Sequence, residues 1–248
     1  MSYKEMYENL AESPMANQSA MLAPSRRLSE TVRMCARTSS ESVMDVGCGD
    51  GILLRLLSGR HTIRAFGVDL SETRLRRARQ ENVIQPTCAD ASRLPFDSGV
   101  FDLCICTEVL EHLETPEIAI GEFHRVLKPE GRLVLTIPVY GWYRLLEARL
   151  TGRVRFLNEA EHIREYAPVS LDRCVNIGDL EGQLNVVGFR VTARQGIYYL
   201  PRGERLWNRI FGHRSPLQGV GAWLDHRIGK VPTLASWGRY LLLECLKA

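Results

Sequence analysis

No apolar run in the sequence approaches the roughly 18 uncharged residues that a membrane-spanning helix needs. There is no internal repeat and no Gly/Ser- or Pro-rich linker. The seven cysteines are odd in number, and none stands in a CxxC or Cys/His pair with zinc-like spacing. Neither a disulfide framework nor a metal site is therefore expected. Cys104 and Cys106 lie two apart in an apolar run, where a strand puts both on one face, so they are read as core. The net charge of +3 is too small to announce a nucleic-acid binder. Residues 1–22 are polar and mildly acidic (Glu5, Glu8, Glu12), which argues against a signal peptide and for a cytoplasmic protein.

What is present is an ordinary globular composition. With 45% hydrophobic and 25% charged residues, disorder and collagen-like structure are out. A length of 248 residues suits one α/β domain with a sizeable insertion. Charge is distributed unevenly. From Leu200 to Ala248, eight Lys/Arg face three acids, a local +5 that leaves −2 for the rest.

The middle of the chain alternates short apolar runs with amphipathic stretches, the pattern of βαβ units and a parallel sheet. Strands are expected at Ser42–Val46, Arg64–Val68, Gln85–Ala89, Phe101–Cys106 and Arg132–Ile137. A helix is expected at Gly51–Ser58, with Ile52, Leu53, Leu56 and Leu57 inward. A second is capped by Ser71 and runs to about Asn82, its Arg74, Arg76, Arg77 and Arg79 forming a solvated face. A third starts at Thr115-Pro116 and ends near the turn Lys128-Pro129-Glu130-Gly131. A helix at Asp179–Val187 and strands at Phe189–Tyr199 and Tyr240–Leu246 complete the reading.

The most informative segment is Val43-Met44-Asp45-Val46-Gly47-Cys48-Gly49-Asp50-Gly51, joining strand to helix. Its glycines let the backbone turn tightly and approach a ligand, and the following helix offers free N–H groups. Twenty residues past Gly49, Asp69 closes the second strand, where a carboxylate can hold two ribose hydroxyls. This fits any nucleotide-type cofactor. The dinucleotide fingerprint, however, is G-x-G-x-x-G. Here the spacing is G-x-G-x-G, with Asp45 two residues before the first glycine. That carboxylate would repel a pyrophosphate but suits the ammonium of an amino acid. A cofactor with adenine, ribose and an aminoacyl tail fits better than NAD.

At this point the sequence resembles class I S-adenosylmethionine-dependent methyltransferases, and within them the small-molecule branch that includes ubiquinone-biosynthesis methyltransferases. V-M-D-V-G-C-G-D-G is similar to the family's first motif and V-D-L at 68–70 to its second. A-D-A-S-R-L-P-F at 89–96 is similar to the third. C-T-E-V-L-E-H-L at 106–113 and F-H-R-V-L-K-P-E-G-R-L-V-L-T-I-P at 123–138 complete a run from Ser42 to Pro138. The resemblance implies a Rossmann-like α/β fold, a seven-stranded mostly parallel sheet of order 3-2-1-4-5-7-6 with the last strand antiparallel and helices on both faces. It implies S-adenosylmethionine as cofactor and S-adenosylhomocysteine as product. Asp45, Gly47, Cys48 and Gly49 would surround the methionine part, Asp69 and Leu70 the ribose, and Asp90 and Ala91 the adenine, with Thr107 on the floor. Arg27, eighteen residues before Asp45, has the offset of an arginine that binds the cofactor carboxylate, with Arg26 as fallback.

Plainer readings stand beside these. Asp90 could cap the turn Ala91–Leu94, Asp69 could cap the next helix, and Asp45 could be a buried acid without a ligand. Cys48 reads as a small space-filler, not a reactive thiol. His112 could order the turn or touch substrate.

The chain then divides into an N-terminal helical lid (1–41), a cofactor core (42–138), an acceptor-pocket segment (139–178) and an insertion between the last two strands (200–238). The pocket segment carries the candidates for chemistry. His162, in His162-Ile163-Arg164-Glu165-Tyr166, is the candidate base, and Tyr140 the second catalytic candidate. Relatives that methylate base amines carry Asn/Asp-Pro-Pro-aromatic after the fourth strand; here stands Thr107-Glu108-Val109-Leu110. No basic stripe with interleaved aromatics runs through the catalytic half, which disfavours nucleic acid as partner. The expected activity is metal-independent methyl transfer to a small or lipid-like acceptor, with a hydroxyl favoured. A cofactor-binding module without catalysis is the competing class. In the insertion, Leu206, Trp207, Ile210, Phe211, Trp223, Leu224 and Ile228 among Arg and Lys suit a cover over the pocket or peripheral contact with an anionic membrane.

Overall fold

The computed structural model describes residues 26–37, 40–80, 83–139, 177–197, 226–238 and 240–248. The apolar runs become seven strands: β1 (Ser42–Val46), β2 (Arg64–Asp69), β3 (Ile84–Cys88), β4 (Phe101–Thr107), β5 (Leu127–Pro138), β6 (Phe189–Ile197) and β7 (Tyr240–Lys247). They form one sheet of order β3-β2-β1-β4-β5-β7-β6. Every pairing from β3 across to β5 is parallel, while β7 runs antiparallel to both β5 and β6. The expected order and the reversed last strand are both present.

The parallel strands are buried on both faces, so their sequences read as continuous apolar runs, without alternation. Met44, Val46, Cys104, Cys106, Leu133 and Leu135 point to one layer. They pack with Ile120 and Phe123 of α4 (Pro116–Val126) and Leu184 of α5 (Ile177–Val187). Val43, Leu103, Ile105 and Val134 point to the other. There they meet Val32 and Cys35 of α1 (Arg26–Cys35) and Leu53, Leu54 and Leu57 of α2 (Ile52–Ser58). Cys104 and Cys106 thus share the core face that their spacing implies, both fully buried. Phe66, Phe96 and Phe101 close one end of that layer edge to face, at centroid separations of 5.0–6.0 Å.

Three local expectations differ from what forms. The inward face of α2 is Leu53, Leu54 and Leu57, while Ile52 and Leu56 are only half-buried. One seven-residue helix cannot fix its own phase, and the docking of α1 and β1 decides it. Thr115 precedes α4 as expected, with Pro116 in its first turn, but makes no side-chain cap bond. Finally, Lys128–Gly131 is not a turn between elements. β5 starts at Leu127 directly after α4, and the Pro-Glu-Gly composition appears as an irregularity inside the strand. Glu130 is left-handed there (φ 59°) and the register against β4 shifts between Phe101 and Leu103. Lys128 Nζ donates to Asp102 Oδ1 at 2.8 Å, while Asp102 Oδ2 accepts from the Ser42 and Glu41 amides, joining this kink to the start of β1. The Asp102 carboxyl is held below the usual carboxylate range by these bonds, against the opposing effect of partial burial.

α1 precedes the sheet in sequence and needs an anchor to it. Arg132 of β5 supplies one. Its Nη2 donates to Met34 O at 2.8 Å and its Nη1 to Cys35 O at 3.2 Å, the end of α1. These helix-terminal carbonyls carry partial negative charge and lack intrahelical partners. The same guanidinium donates through Nε to Glu244 Oε1 of β7 at 2.9 Å, and Arg37 Nη1 donates to Glu244 Oε2 at 3.0 Å. Arg132 and Glu244 are each only 8% exposed, so removing Glu244 would leave Arg132 a buried charge held by the Met34 and Cys35 carbonyls without its carboxylate.

Glu244→Leu should therefore cost about 3 kcal/mol of unfolding free energy, and Arg132→Met/Glu244→Leu should recover most of it. Urea unfolding of the three proteins tests this. A single variant as stable as the parent would show that the pair carries little.

Candidate functional site

The site is built at the carboxyl ends of β1, β2 and β4, on the turn between β1 and α2. Gly47, Gly49 and Gly51 are all left-handed (φ 75°, 53° and 75°), a conformation that costs side-chain-bearing residues free energy. Space excludes a side chain at two of them as well. A β-carbon on Gly47 would run into Val109 Cγ2, and one on Gly51 into Ile84 Cδ1. The turn is pinned to β2, with Gly47 N and Cys48 N both donating to Val68 O, at 2.7 and 3.0 Å. Gly51 N donates to Cys48 O at 2.9 Å.

Asp69 completes the turn. Its Oδ2 accepts from Gly49 N at 2.8 Å and its Oδ1 from Ser71 N at 2.9 Å. Helix α3 (Glu72–Arg79) is capped by Ser71, whose Oγ accepts from Arg74 N. Asp69 and Ser71 therefore share the work at that helix start, and Asp69 does not replace Ser71. A carboxylate has about four acceptor positions, so two backbone donors do not saturate Asp69.

Asp45 sits at the centre. It is 1% exposed, between Gly67 and Ile105 in the sheet register, on the face toward α1 and α2. Its Oδ1 is buried with no hydrogen-bond partner among the described residues. Burial, followed by the negative charge of Asp69, pushes its carboxyl well above the usual carboxylate range. Among the described residues, no cation is hydrogen-bonded to that oxygen. Cys48 is also buried, and its Sγ lies over Gly67, where a β-carbon would come within 2.7 Å of the sulfur. Burial first, then Asp45 and Asp69, push the Cys48 thiol up, which disfavours the thiolate.

The structure places the other expected site residues at strand ends, in a loop after β3 and on α1. Leu70 and Thr107 are half-buried at the ends of β2 and β4, and Ala91 is buried beyond β3. Asp90 is exposed, with Oδ1 accepting from Ser92 N at 2.8 Å and from Ser92 Oγ at 2.7 Å. The turn-capping geometry is thus present, and it occupies only Oδ1 of Asp90. Arg27, in the first turn of α1, stacks its guanidinium 5.3 Å above the Tyr240 ring, and its Nη1 lies 3.7 Å from Glu108 Oε1. Tyr140 and His162 lie outside the described residues, as do Arg164, Tyr166 and residues 200–225 of the insertion.

The basic face assigned to α3 is a correction. Arg76 and Arg79 are exposed, but Arg74 and Arg77 turn back onto the glycine turn. Arg77 Nη1 is 3.6 Å from Asp50 Oδ1, and Arg74 Nη1 lies 3.1 Å from where a Gly49 β-carbon would stand. Glu108 and Tyr240 also enter the site without having been singled out. Glu108 directly follows β4, where strand ends carry ligands in such sheets, and that position was its one signal. Nothing in sequence places Tyr240 near Arg27, more than two hundred residues earlier. Among the described residues, no group of three or more His, Cys, Asp or Glu is placed to hold a metal, and no helix is long and apolar enough to cross a membrane.

Residues 44–135 match the methyltransferase-domain family. The chain is similar to the mitochondrial ubiquinone biosynthesis O-methyltransferase of Schizosaccharomyces pombe, 26% identical over 66% of this chain and 60% of that protein. It is also similar to the demethylmenaquinone methyltransferase of Clavibacter sepedonicus, 29% identical over 75% of this chain and 81% of that one. Among solved structures, phosphoethanolamine N-methyltransferase 2 of Haemonchus contortus with S-adenosylhomocysteine superposes with a TM-score of 0.68. It covers 100% of this chain and 60% of its own, at 14% identity, a likeness of fold.

The raised Asp45 carboxyl gives a test on the cofactor-free protein. A folded-state value above the unfolded one means that the native protein holds an extra proton between the two. Stability must then fall as pH rises above the ordinary carboxylate value of about 4. Asp45→Asn should be the more stable protein at pH 7, with the difference vanishing below about pH 4. Urea unfolding from pH 4 to 8 measures it. A pH-independent difference would mean that Asp45 is ionised throughout.

Proposed function

With residues 44–135 forming a class I S-adenosylmethionine-dependent methyltransferase domain, we propose that the protein moves a methyl group to a small or lipid-like acceptor, through a hydroxyl in preference to nitrogen or carbon. The observation that carries the site assignment is the buried Oδ1 of Asp45, without a hydrogen-bond partner among the described residues, beneath three left-handed glycines. A pyrophosphate is repelled there, whereas an amino-acid ammonium supplies the missing cation.

The residues present fit the cofactor. Asp45 takes the ammonium, with Gly47, Cys48 and Gly49 forming the cradle, where a β-carbon on Gly47 has no room. Asp69, anchored by Gly49 N and Ser71 N, keeps acceptor positions for ribose hydroxyls, with Leu70 beside it. Asp90 and Ala91 border the adenine, Thr107 the floor, and Arg27 takes the carboxylate. When bound, the cofactor supplies a methyl carried on a sulfonium. The chain's own share is to align the acceptor with it and keep the pocket dry, which can supply much of the acceleration. A base is needed only for an acceptor proton that is hard to lose. We assign that task to His162, with Tyr140 stacking against cofactor or acceptor.

The acceptor reading rests on the ubiquinone and menaquinone enzymes that the chain is similar to. It rests also on the lack of a basic aromatic stripe in 42–138, which leaves no footprint for nucleic acid. We assign 139–178 to the acceptor pocket, 1–41 to its lid and 200–238 to its cover; a cytoplasmic location fits this reading. If the insertion instead lies on anionic lipid, the protein should sediment with phosphatidylserine vesicles and not with phosphatidylcholine vesicles.

Calorimetric titration with S-adenosylmethionine, S-adenosylhomocysteine and NADH tests the assignment, with binding expected for the first two alone. Asp69→Ala should weaken S-adenosylhomocysteine binding by about 1–3 kcal/mol. Unchanged affinity would move the ribose site elsewhere. His162→Ala should lower methyl transfer to hydroxylated quinone precursors while leaving cofactor affinity intact. Tight cofactor binding with no transfer to any acceptor would favour a binding module.

A further inference from the structure

The site holds a carboxylate of its own within reach of the arginine assigned to the cofactor's carboxylate. Glu108 is the first residue after β4, and its backbone is left-handed (φ 57°) although it is not glycine. Such a conformation persists where the surroundings impose it, and it clusters at ligand sites. Two contacts with β5 impose it here. Glu108 N donates to Thr136 O at 3.1 Å, and Thr136 Oγ1 donates to Glu108 Oε1 at 3.0 Å. The next residue, Val109, fills the space over Gly47 where no β-carbon fits. The strained segment therefore lies on the cofactor turn itself, and its carboxylate reaches the other way, toward α1.

There it meets Arg27, Nη1 to Oε1 at 3.7 Å, with the two side chains 31% and 22% exposed. The guanidinium is also stacked on Tyr240, a residue held in β7 opposite Pro138 of β5. Arg27 is thus fixed on one side by an aromatic face and on another by a negative group. At 3.7 Å the ion pair is looser than a charge-assisted hydrogen bond of about 2.7–2.9 Å. A weak, half-exposed pair can be exchanged for a better one.

We propose that Glu108 is an internal competitor for Arg27, giving it up when a ligand carboxylate arrives and so setting the affinity for cofactor and product. The inference rests on the reading of Arg27 as the carboxylate partner. Its consequence is a site that holds Arg27 in place when empty and weakens product retention. An alternative role for Glu108, steadying Arg27 for the ligand, predicts the opposite sign of effect, and that makes the experiment decisive.

The test is titration of the parent, Glu108→Gln, Arg27→Ala and the double variant with two probes. S-adenosylhomocysteine carries the amino-acid carboxylate; 5′-methylthioadenosine has the same nucleoside and a thioether but lacks it. Glutamine keeps an acceptor for Thr136 Oγ1, so the backbone of the segment should stay in place. Glu108→Gln should bind S-adenosylhomocysteine about threefold more tightly, the scale of a half-exposed ion pair. Its methylthioadenosine affinity should be unchanged, and the gain should vanish in the Arg27→Ala background. Arg27→Ala alone should weaken S-adenosylhomocysteine and spare methylthioadenosine. Weaker or equal S-adenosylhomocysteine binding by Glu108→Gln, with Arg27→Ala still selective, would overturn the competition while leaving the Arg27 assignment standing. Equal shifts for both probes would overturn it as well. Unchanged binding by Arg27→Ala would remove the premise itself.

Discussion

The backbone reversal at residues 47–51 is the constraint on which the architecture turns. Three left-handed residues within five positions bring the chain off β1 and into α2 in the shortest distance. That turn is not self-sufficient. It hangs on Val68 O through two amides and on Asp69 through a third, and it is covered by Val109 after β4. Strands β1, β2 and β4 must therefore end at the same level for the turn to exist. Gly67 belongs to the same arrangement, since a side chain there would push Cys48, and the turn with it, away from β2. The result is a concave backbone with an ionisable acid buried at its floor. Such a site is unfavourable when empty and suited to a cation-bearing ligand.

A second set of contacts determines what stands over that floor. α1 is tied at its C-terminal end to Arg132 and, through Glu244, to β7. Midway along α1 the buried Glu30 accepts from Arg33 and from Gln195 of β6, and its Oε1 lies 3.0 Å from Nδ1 of His226, within the insertion. Segments far apart in the chain thus converge on one ten-residue helix. The position of Arg27, a turn ahead of Glu30, follows from those bonds. The antiparallel β7 is what makes this possible. It sets Tyr240 at the carboxyl end of β5 and Glu244 farther along the same strand, so one strand both locks the helix and stacks its arginine.

Legibility differed by element for identifiable reasons. Parallel strands buried on both faces announce themselves as apolar runs, and β1, β2, β4 and β7 fall within a residue of the expected bounds. Lys128-Pro129-Glu130-Gly131 has the composition of a turn and is instead a kink in β5, because pairing with β4 and the Lys128–Asp102 bond extend the strand through it. The inward face of α2 shifted by one residue because packing, not periodicity, sets the phase of so short a helix. Arg74 and Arg77 read as solvated because arginines on a helix usually are. Nearby Asp50 and the glycine turn draw them in.

The strand order entered only as what the resemblance to class I methyltransferases implies, whereas the amino-acid order by itself determined the glycine turn, the acid beneath it and the carboxylate at the end of β2. Each of these is local, encoded by backbone freedom at glycine and by acids at fixed offsets along one βαβ unit. Only the tertiary structure decided that Asp45 has an oxygen with no hydrogen-bond partner among the described residues, that Asp69 braces the turn, and that Arg27 lies between Tyr240 and Glu108. The last of these joins Arg27 to Tyr240, from opposite ends of the chain. Burial and pairing at such distances depend on how the sheet brings strand ends together, which no local pattern records.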